Sequence, residues 1–253
     1  MARRANYIKR QRSSNSNVLL LDAGNALMGP MPIAIKSKGA VAVKAMNMMG
    51  YDALTVGDKD LTLGIKTLKQ REDEANFPFL SANLVFSDAR ELLFSPYTMV
   101  KVGARNVGIL GLTGSEQPMP LRLFDDTVVD LLDPVETARR YVAEMSAQAD
   151  IIVVLSHLGL DKDEQLAKEV PGIDIIVGGL SRRLLQKPES VGKTIIVQAG
   201  YRGEWIGRLK VLVDSDGVVA YSEGNIVLLD DTHKDDPDML AFVAKAKKEF
   251  SSQ

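Results

Sequence analysis

Short apolar runs alternate with amphipathic segments along nearly the whole chain, which is the pattern of an α/β domain. Six runs read as strands: NVLLLDAG, DALTV, NVGILGL, DIIVVLSH, IDIIVGG and KTIIVQAG. Each is apolar at successive rather than alternate positions, so each is expected to be buried on both faces. Helical periodicity predicts helices from Ile33 to Met48, from Ile65 to Glu74, from Pro134 to Ser146 behind an Asp133 cap, and from Asp161 to Val170. Later the pattern changes. GEWIGRLKVLVDSDGVVAYSEGNIVLL reads as two strands around a Ser-Asp-Gly turn, an antiparallel hairpin that makes the sheet content mixed.

Near the end, Met239, Phe242, Val243, Ala246 and Phe250 recur at helical spacing and predict an amphipathic helix packed on the body. The chain is therefore divided into a main domain over 1–230 and an acidic linker with its helix over 231–253. Met46, Met48 and Met49 are expected as core filler. Tyr201 and Trp205 are expected to pack, and His233 to be a solvated tail residue. The opening MARRANYIKRQR favours a helix, and with Ala2, Ala5 and Ile8 set among basic side chains it reads as a solvated surface helix.

Composition narrows the classes. A chain of 253 residues with 45% hydrophobic and 25% charged side chains can bury a sizeable core. Its 31 basic and 33 acidic side chains give a net charge of -2, with no overall bias toward nucleic acid or an anionic membrane. There are no cysteines, which excludes disulfides, thiolate metal sites and cysteine nucleophiles. No run reaches the ~18 apolar residues of a membrane span, and the N-terminus lacks the apolar core of a signal peptide.

In α/β folds chemistry collects at the carboxyl ends of strands. Those ends carry Asp22 and Asn25, then Asp58, Lys59 and Asp60 within GDKDLTLG, then Thr113, His157, and Leu180 to Arg182. Five loops are thus expected to converge on one site.

The series LLLDAGNALMG, NMMGYDALTVGDKDLTLG, FPFLSANL, VGILGLTG, ADIIVVLSHLGLDKDEQLAKEVPGIDIIVGGLSR and IIVQAGYRGEWIGRL resembles the catalytic domain of the 5′-nucleotidases, within the calcineurin-like metallophosphoesterases. The resemblance runs from about Ala2 to about Ile226 with its landmarks in order. It implies an α/β four-layer sandwich of two mixed β-sheets flanked by helices, with a two-metal phosphoesterase centre at the strand ends. Such a centre clamps phosphate and activates a bridging water, which takes several oxygen and nitrogen ligands close together. It also implies a periplasmic or extracytoplasmic protein.

The departures from the family pattern are specific. The family's metal-bridging aspartate is Asn25 here. Its Gly-Asn-His-Glu is Gly57, Asp58, Lys59 and Asp60, and its Gly-His-Ser-His-type motif is Gly179, Leu180, Ser181 and Arg182. The histidine of Ser-His-Leu-Gly remains as His157. The family's Asp-x-His strand falls upstream of Ala-Arg-Arg-Ala-x-Tyr-Ile, outside this chain, and the family's aromatic base-binding domain is a C-terminal one that would follow the last helix. His157 alone does not hold a metal, with Asp58 and the neutral Asn25 as residual candidates.

No catalytic residue and no cofactor are therefore expected, and the chain reads as an inactive scaffold or interaction subunit. Lys59 and Arg182 are expected to serve as counter-charges for Asp22, Asp58 and Asp60 in place of metals. One alternative is an active phosphoesterase using Mn, Zn or Fe. Another is a metal-free anion-binding module built on Lys59, Arg182 and Arg183. Without a neighbouring strand, Val18, Leu19, Leu20 and Leu21 would form an unblunted edge, covered by a partner protein or a second copy.

Overall fold

The computed structural model describes residues 1–214 and 219–251. Its largest sheet has six strands in the order Glu189–Val191, Thr194–Val197, Ile175–Gly178, Ile151–His157, Arg105–Thr113 and Tyr97–Val102. The four inner strands run parallel, and each outer strand joins antiparallel. A second sheet is parallel, with Leu21–Asp22, Ala53–Thr55 and Phe79–Leu80 in that order. A three-stranded antiparallel sheet (Leu84–Phe86, Val128–Leu131, Leu121–Arg122) and the hairpin of Trp205–Val213 with Val219–Leu228 complete the strands. The hairpin is the one predicted; its Ser215 to Gly217 turn lies outside the described residues.

Alternating side chains of the buried strands divide the core into layers. Val107, Ile109, Ile151, Val153, Leu155 and Ile175 face the parallel sheet through Ala53 and Leu80. Their neighbours Leu110, Leu112, Ile152, Val154 and Ile176 face the helices Pro134–Met145 and Leu160–Glu169 through Ala138, Tyr141, Val142, Met145 and Leu166. On the far side, Leu54 and Phe79 meet Val43, Met46, Met49 and Leu68 of the helices Ala40–Met49 and Ile65–Glu74. Helix, sheet, sheet and helix give the four-layer α/β sandwich. A period of two along each strand is what allows one strand to serve two cores.

Several local expectations change. The helix predicted from Ile33 to Met48 is two, Pro32–Lys36 and Ala40–Met49, because Lys38 and Gly39 take left-handed backbone (φ 47 and 80) between them. The N-terminal helix Ala2–Ser14 is not simply solvated: Ala2, Ala5 and Ile8 are buried in the core that holds Leu54 and Phe79, together with Met239 of the helix Pro237–Ser251. NVLLLDAG pairs as a strand only at Leu21–Asp22 and is half-buried, not closed on both faces. That strand bounds its sheet, since no strand pairs its other side among the described residues. Met48 and Tyr201 are exposed, not packed: Met48 lies on the outward side of the helix Ala40–Met49, and Tyr201 stands in the bend before the strand Trp205–Val213. His233 is half-buried, bonded through Nδ1 to Asp230 at 3.3 Å with Tyr7 beside its ring. Asp133 caps its helix as expected, accepting from Glu136 N at 2.8 Å.

Candidate functional site

The strand ends do converge. His157, last residue of the fully buried strand Ile151–His157, places Nδ1 2.6 Å from the Ala23 carbonyl in the loop after Leu21–Asp22. A carbonyl only accepts, so Nδ1 carries a proton. Nε2 then faces Asp58 Oδ1 at 3.4 Å, and both side chains are buried. Burial alone would lower the His157 pKa, but Asp58 and the Ala23 carbonyl outweigh it and raise the ring above its ordinary value. Burial likewise opposes ionisation of Asp58. Hydrogen bonds from His157, from the Asn25 side chain and from Glu116 N prevail and hold its carboxyl well below the usual carboxylate range. The two form a buried ion pair.

Asn25 ties the pair to its surroundings. Its Nδ2 donates to Asp58 Oδ1 at 2.9 Å, and its Oδ1 accepts from Lys59 N at 2.8 Å. Asn25 itself takes φ 60, a left-handed conformation that asparagine tolerates better than most residues. Asp60 is fully buried. It accepts from the backbone N–H groups of Asn25, Gly57 and Leu27 at 2.9, 3.0 and 3.1 Å, which offset in part the rise in pKa that burial imposes. Burial pushes Asp22 up to about 6, with Arg4 and the Gly24 N–H opposing.

Close backbone approach makes this possible. A Cβ on Gly57 would collide with Asn25 Oδ1, and one on Gly179 would meet the Ala23 carbonyl at 2.5 Å. Thr113 closes the floor: its Oγ1 donates to the Val56 carbonyl at 2.8 Å and its N–H to Asn83 Oδ1 at 2.8 Å.

The expected pairing of Lys59 and Arg182 with the cleft aspartates is not formed. Asp58 turns to His157 and Asn25, Asp60 is saturated by backbone donors, and the Lys59 side chain is exposed. Arg182 instead binds Glu116, Nη2 lying 3.1 Å from both carboxylate oxygens at the solvent-facing mouth. Leu180 and Arg182 both take φ 58, and Arg183 is exposed beside them.

A two-metal centre needs several lone pairs directed at one point, and this donor set does not fit it. Asn25 is neutral and spends both ends of its amide on other groups, the lone pairs of Asp60 meet backbone N–H groups, and His157 and Asp58 face each other. Among the described residues, no group of three or more His, Cys, Asp or Glu side chains is placed to hold a metal ion.

Sequence reasoning missed three contributors. Glu116 lies in the Gly-Ser-Glu-Gln loop after Thr113 and both bonds Asp58 through its backbone and holds Arg182 through its side chain. Gln198 is buried and orders the Gly179–Ser181 turn by donating to the Gly179 carbonyl and accepting from Ser181 Oγ. Asp163 is buried directly behind His157, accepting from Ser156 Oγ. A signal existed for Asp163, an acid in the first turn of a helix on the Ser-His-Leu-Gly motif; none existed for Gln198.

No family model matches the chain. Comparison with individual proteins is informative. The chain is 32% identical over 281 residues to a snake venom 5′-nucleotidase of Gloydius brevicauda, covering 100% of the chain and 47% of that protein. It is 30% identical to a 5′-nucleotidase of Bos taurus, covering 97% and 46%. Among solved structures, a 5′-nucleotidase precursor from Thermus thermophilus superposes with a TM-score of 0.88 at 29% identity, over 99% of this chain and 53% of that one. The calcineurin-like phosphoesterase YfkN from Bacillus subtilis shares the fold, with a TM-score of 0.82 at 24% identity over 89% of its chain. The chain spans about half the length of the curated relatives it matches. Sequence and structure agree that the chain is similar along its whole length to about half of a 5′-nucleotidase, and it has the calcineurin-like metallophosphoesterase fold.

Proposed function

We propose that this chain is a non-catalytic member of its family, a metal-independent domain that serves as a scaffold or interaction subunit. One observation carries the reading: Asn25, Asp58 and His157 satisfy one another where the family's centre would gather metal ligands. The ring proton on Nε2 and the Asn25 amide both occupy Asp58, so a dication entering there would have to displace a proton and a hydrogen bond before gaining a ligand. The Arg182 guanidinium at the mouth adds a fixed positive charge that disfavours it further.

The interaction role rests on the sheet edge at Val18, Leu19, Leu20 and Leu21, where an apolar, half-buried segment borders the parallel sheet and could be covered by a partner protein or a second copy. By family, we place the protein outside the cytoplasm. No helix among the described residues is long and apolar enough to cross a membrane.

A second reading, an active divalent-metal phosphoesterase, is favoured by the names of the relatives. The two separate by measurement on the purified chain: metal content after incubation with Mn, Zn or Fe and dialysis, together with turnover of p-nitrophenyl phosphate and of a nucleoside monophosphate. Substoichiometric metal and no turnover above buffer are expected. One or two metals per chain with turnover would replace this reading with the active one.

A further inference from the structure

In the floor of the cleft His157 matches Asp58, and the rim above it is cationic. Two segments run side by side at the carboxyl ends of the six-stranded sheet. Gly200 N donates to the Arg183 carbonyl at 2.9 Å, Leu185 N donates to the Gln198 carbonyl at 3.1 Å, and Leu184 bridges Ala199. This ladder sets Arg182 and Arg183 alongside Gly200 to Arg202. Arg182, Arg183, Tyr201 and Arg202 are all exposed, and so is Lys59 on the loop that holds Asp58.

The rim is built, not loose. Buried Gln198 fixes the turn that carries Arg182, while Arg4 Nη2 donates to the Gly203 carbonyl at 2.6 Å and pins the turn that carries Arg202. Arg182 and Arg202 hold left-handed backbone (φ 58 and 61), which residues with a β-carbon seldom adopt and which concentrates at functional sites. Arg202 lies over the Tyr201 ring, 5.3 Å from its centroid. Arg182 gives only Nη2 to Glu116; its Nε and Nη1 make no hydrogen bond among the described residues. Of the acids around these four cations, Glu116 is bound by Arg182 and Asp58 by His157, while Asp60 lies buried in the floor beside Asp22.

The shape of the surface selects the ligand. Two cavities, of about 230 and 470 Å³, are lined by Asn83, Thr113 and Asp133 in one case and by Phe86, Asp88 and Thr127 in the other, and neither takes in Lys59, Arg182, Arg183 or Arg202. On side chains as exposed as these, a small anion would stay solvated and screened. An extended chain of carboxylates could engage the cations in series, each contact raising the effective concentration of the next. The one anion already seated on an arginine here, Glu116, is itself a carboxylate.

We propose that Lys59, Arg182, Arg183 and Arg202, with Tyr201, form a docking surface for an acidic peptide segment of a partner protein. The proposal rests on the non-catalytic reading and gives its interaction role a second surface and a partner chemistry.

The test is fluorescence anisotropy with labelled decaglutamate on the full chain, at about 50 and about 200 mM salt. Binding that weakens with salt is expected, and the double variant R182E/R202E should weaken it about tenfold or more, as loss of two charge-assisted contacts does. R139E/R140E, exposed on the helix Pro134–Met145, makes the same change in net charge and should leave binding within about twofold. R182N/R202N, in which asparagine suits the left-handed backbone, guards against misfolding and should also weaken binding. No binding by the wild type, equal loss in both charge-reversal variants, displacement by inorganic phosphate at equal concentration, or tighter binding of oligothymidylate would each overturn the proposal. Turnover of a phosphate ester by the wild type would end the non-catalytic reading and leave the peptide result standing, so the two failures are distinguishable.

Discussion

Replacing Asp163 by asparagine should change how stability depends on pH more than it changes the structure. Asp163 is fully buried in the first turn of the helix Leu160–Glu169; one oxygen accepts from Ser156 Oγ, and the other has no hydrogen-bond partner. Burial pushes its pKa up from 3.8 to about 7, against the opposing Ser156 hydrogen bond and the positive His157 ring. In the unfolded chain the same carboxyl ionises near its ordinary value. Between the two values the folded state holds a proton that the unfolded state has lost, so stability falls as pH rises through that window.

A rise of that size corresponds to about 4 kcal/mol, of which about 3 kcal/mol falls between pH 5 and 8. In the Asp163→Asn variant the amide would mimic the protonated acid at every pH, accepting from Ser156 through its carbonyl. Urea midpoints of the two proteins across that range are the assay. The variant should be the more stable at about pH 8, with the gap narrowing steadily toward about pH 4. Parallel curves, or a variant less stable than wild type at the alkaline end, would refute the reasoning.

Asp58→Asn breaks a buried ion pair and leaves His157 facing an uncharged amide, which should cost about 3–5 kcal/mol in urea unfolding near neutral pH. Because the His157 pKa is raised, the pair's contribution is present below the ordinary histidine value and is lost as pH climbs through the folded value, so the penalty should shrink in alkali. Asn25→Asp puts a carboxylate where Nδ2 now donates to Asp58; we expect a loss of about 2–3 kcal/mol in metal-free buffer, read from the same midpoint. Arg182→Ala removes a half-exposed pair with Glu116, whose side chains are 51% and 47% accessible, and should move stability by only about 0–1 kcal/mol. A larger loss would mean that Arg182 supports the cleft from within.

The sandwich was legible because apolar residues at successive positions of a strand state burial on both faces, as in the run from Ile151 to Leu155, and the strand Ile151–His157 is buried throughout. Ile65 to Glu74 was read to its ends, since Gly64 marks the start and the apolar stripe sits on Ile65 and Leu68. The break after Lys36 was not legible, because apolar residues continue on both sides of Lys38 and Gly39, although only the second helix, Ala40–Met49, buries its own. At the site, the converging residues could be named from strand ends, but their partners could not. Strand ends fix where a side chain starts. Which of several acids a histidine or an arginine meets depends on loop geometry, as with Glu116, separated from Arg182 by 66 positions.

The partner choices follow from how each acid in the cleft satisfies its charge. Asp60 meets backbone N–H groups that no substitution of neighbouring side chains removes, so its position would persist whatever occupied Lys59. Asp22 lies close to its own neutralisation, with a pKa of about 6, and Arg4 from the N-terminal helix supplies the nearest opposing charge. Asp58 is the one of the three in hydrogen-bond contact with a side-chain cation, and that cation is His157. The imidazole can be a ligand or an imidazolium, not both, because metal binding requires the neutral ring. Asn25 tips this choice by donating to Asp58 on the same oxygen that His157 faces, which keeps the carboxylate ionised and the ring protonated. Any divalent ion would therefore compete with a proton at His157, and its affinity for this cleft would weaken as pH falls.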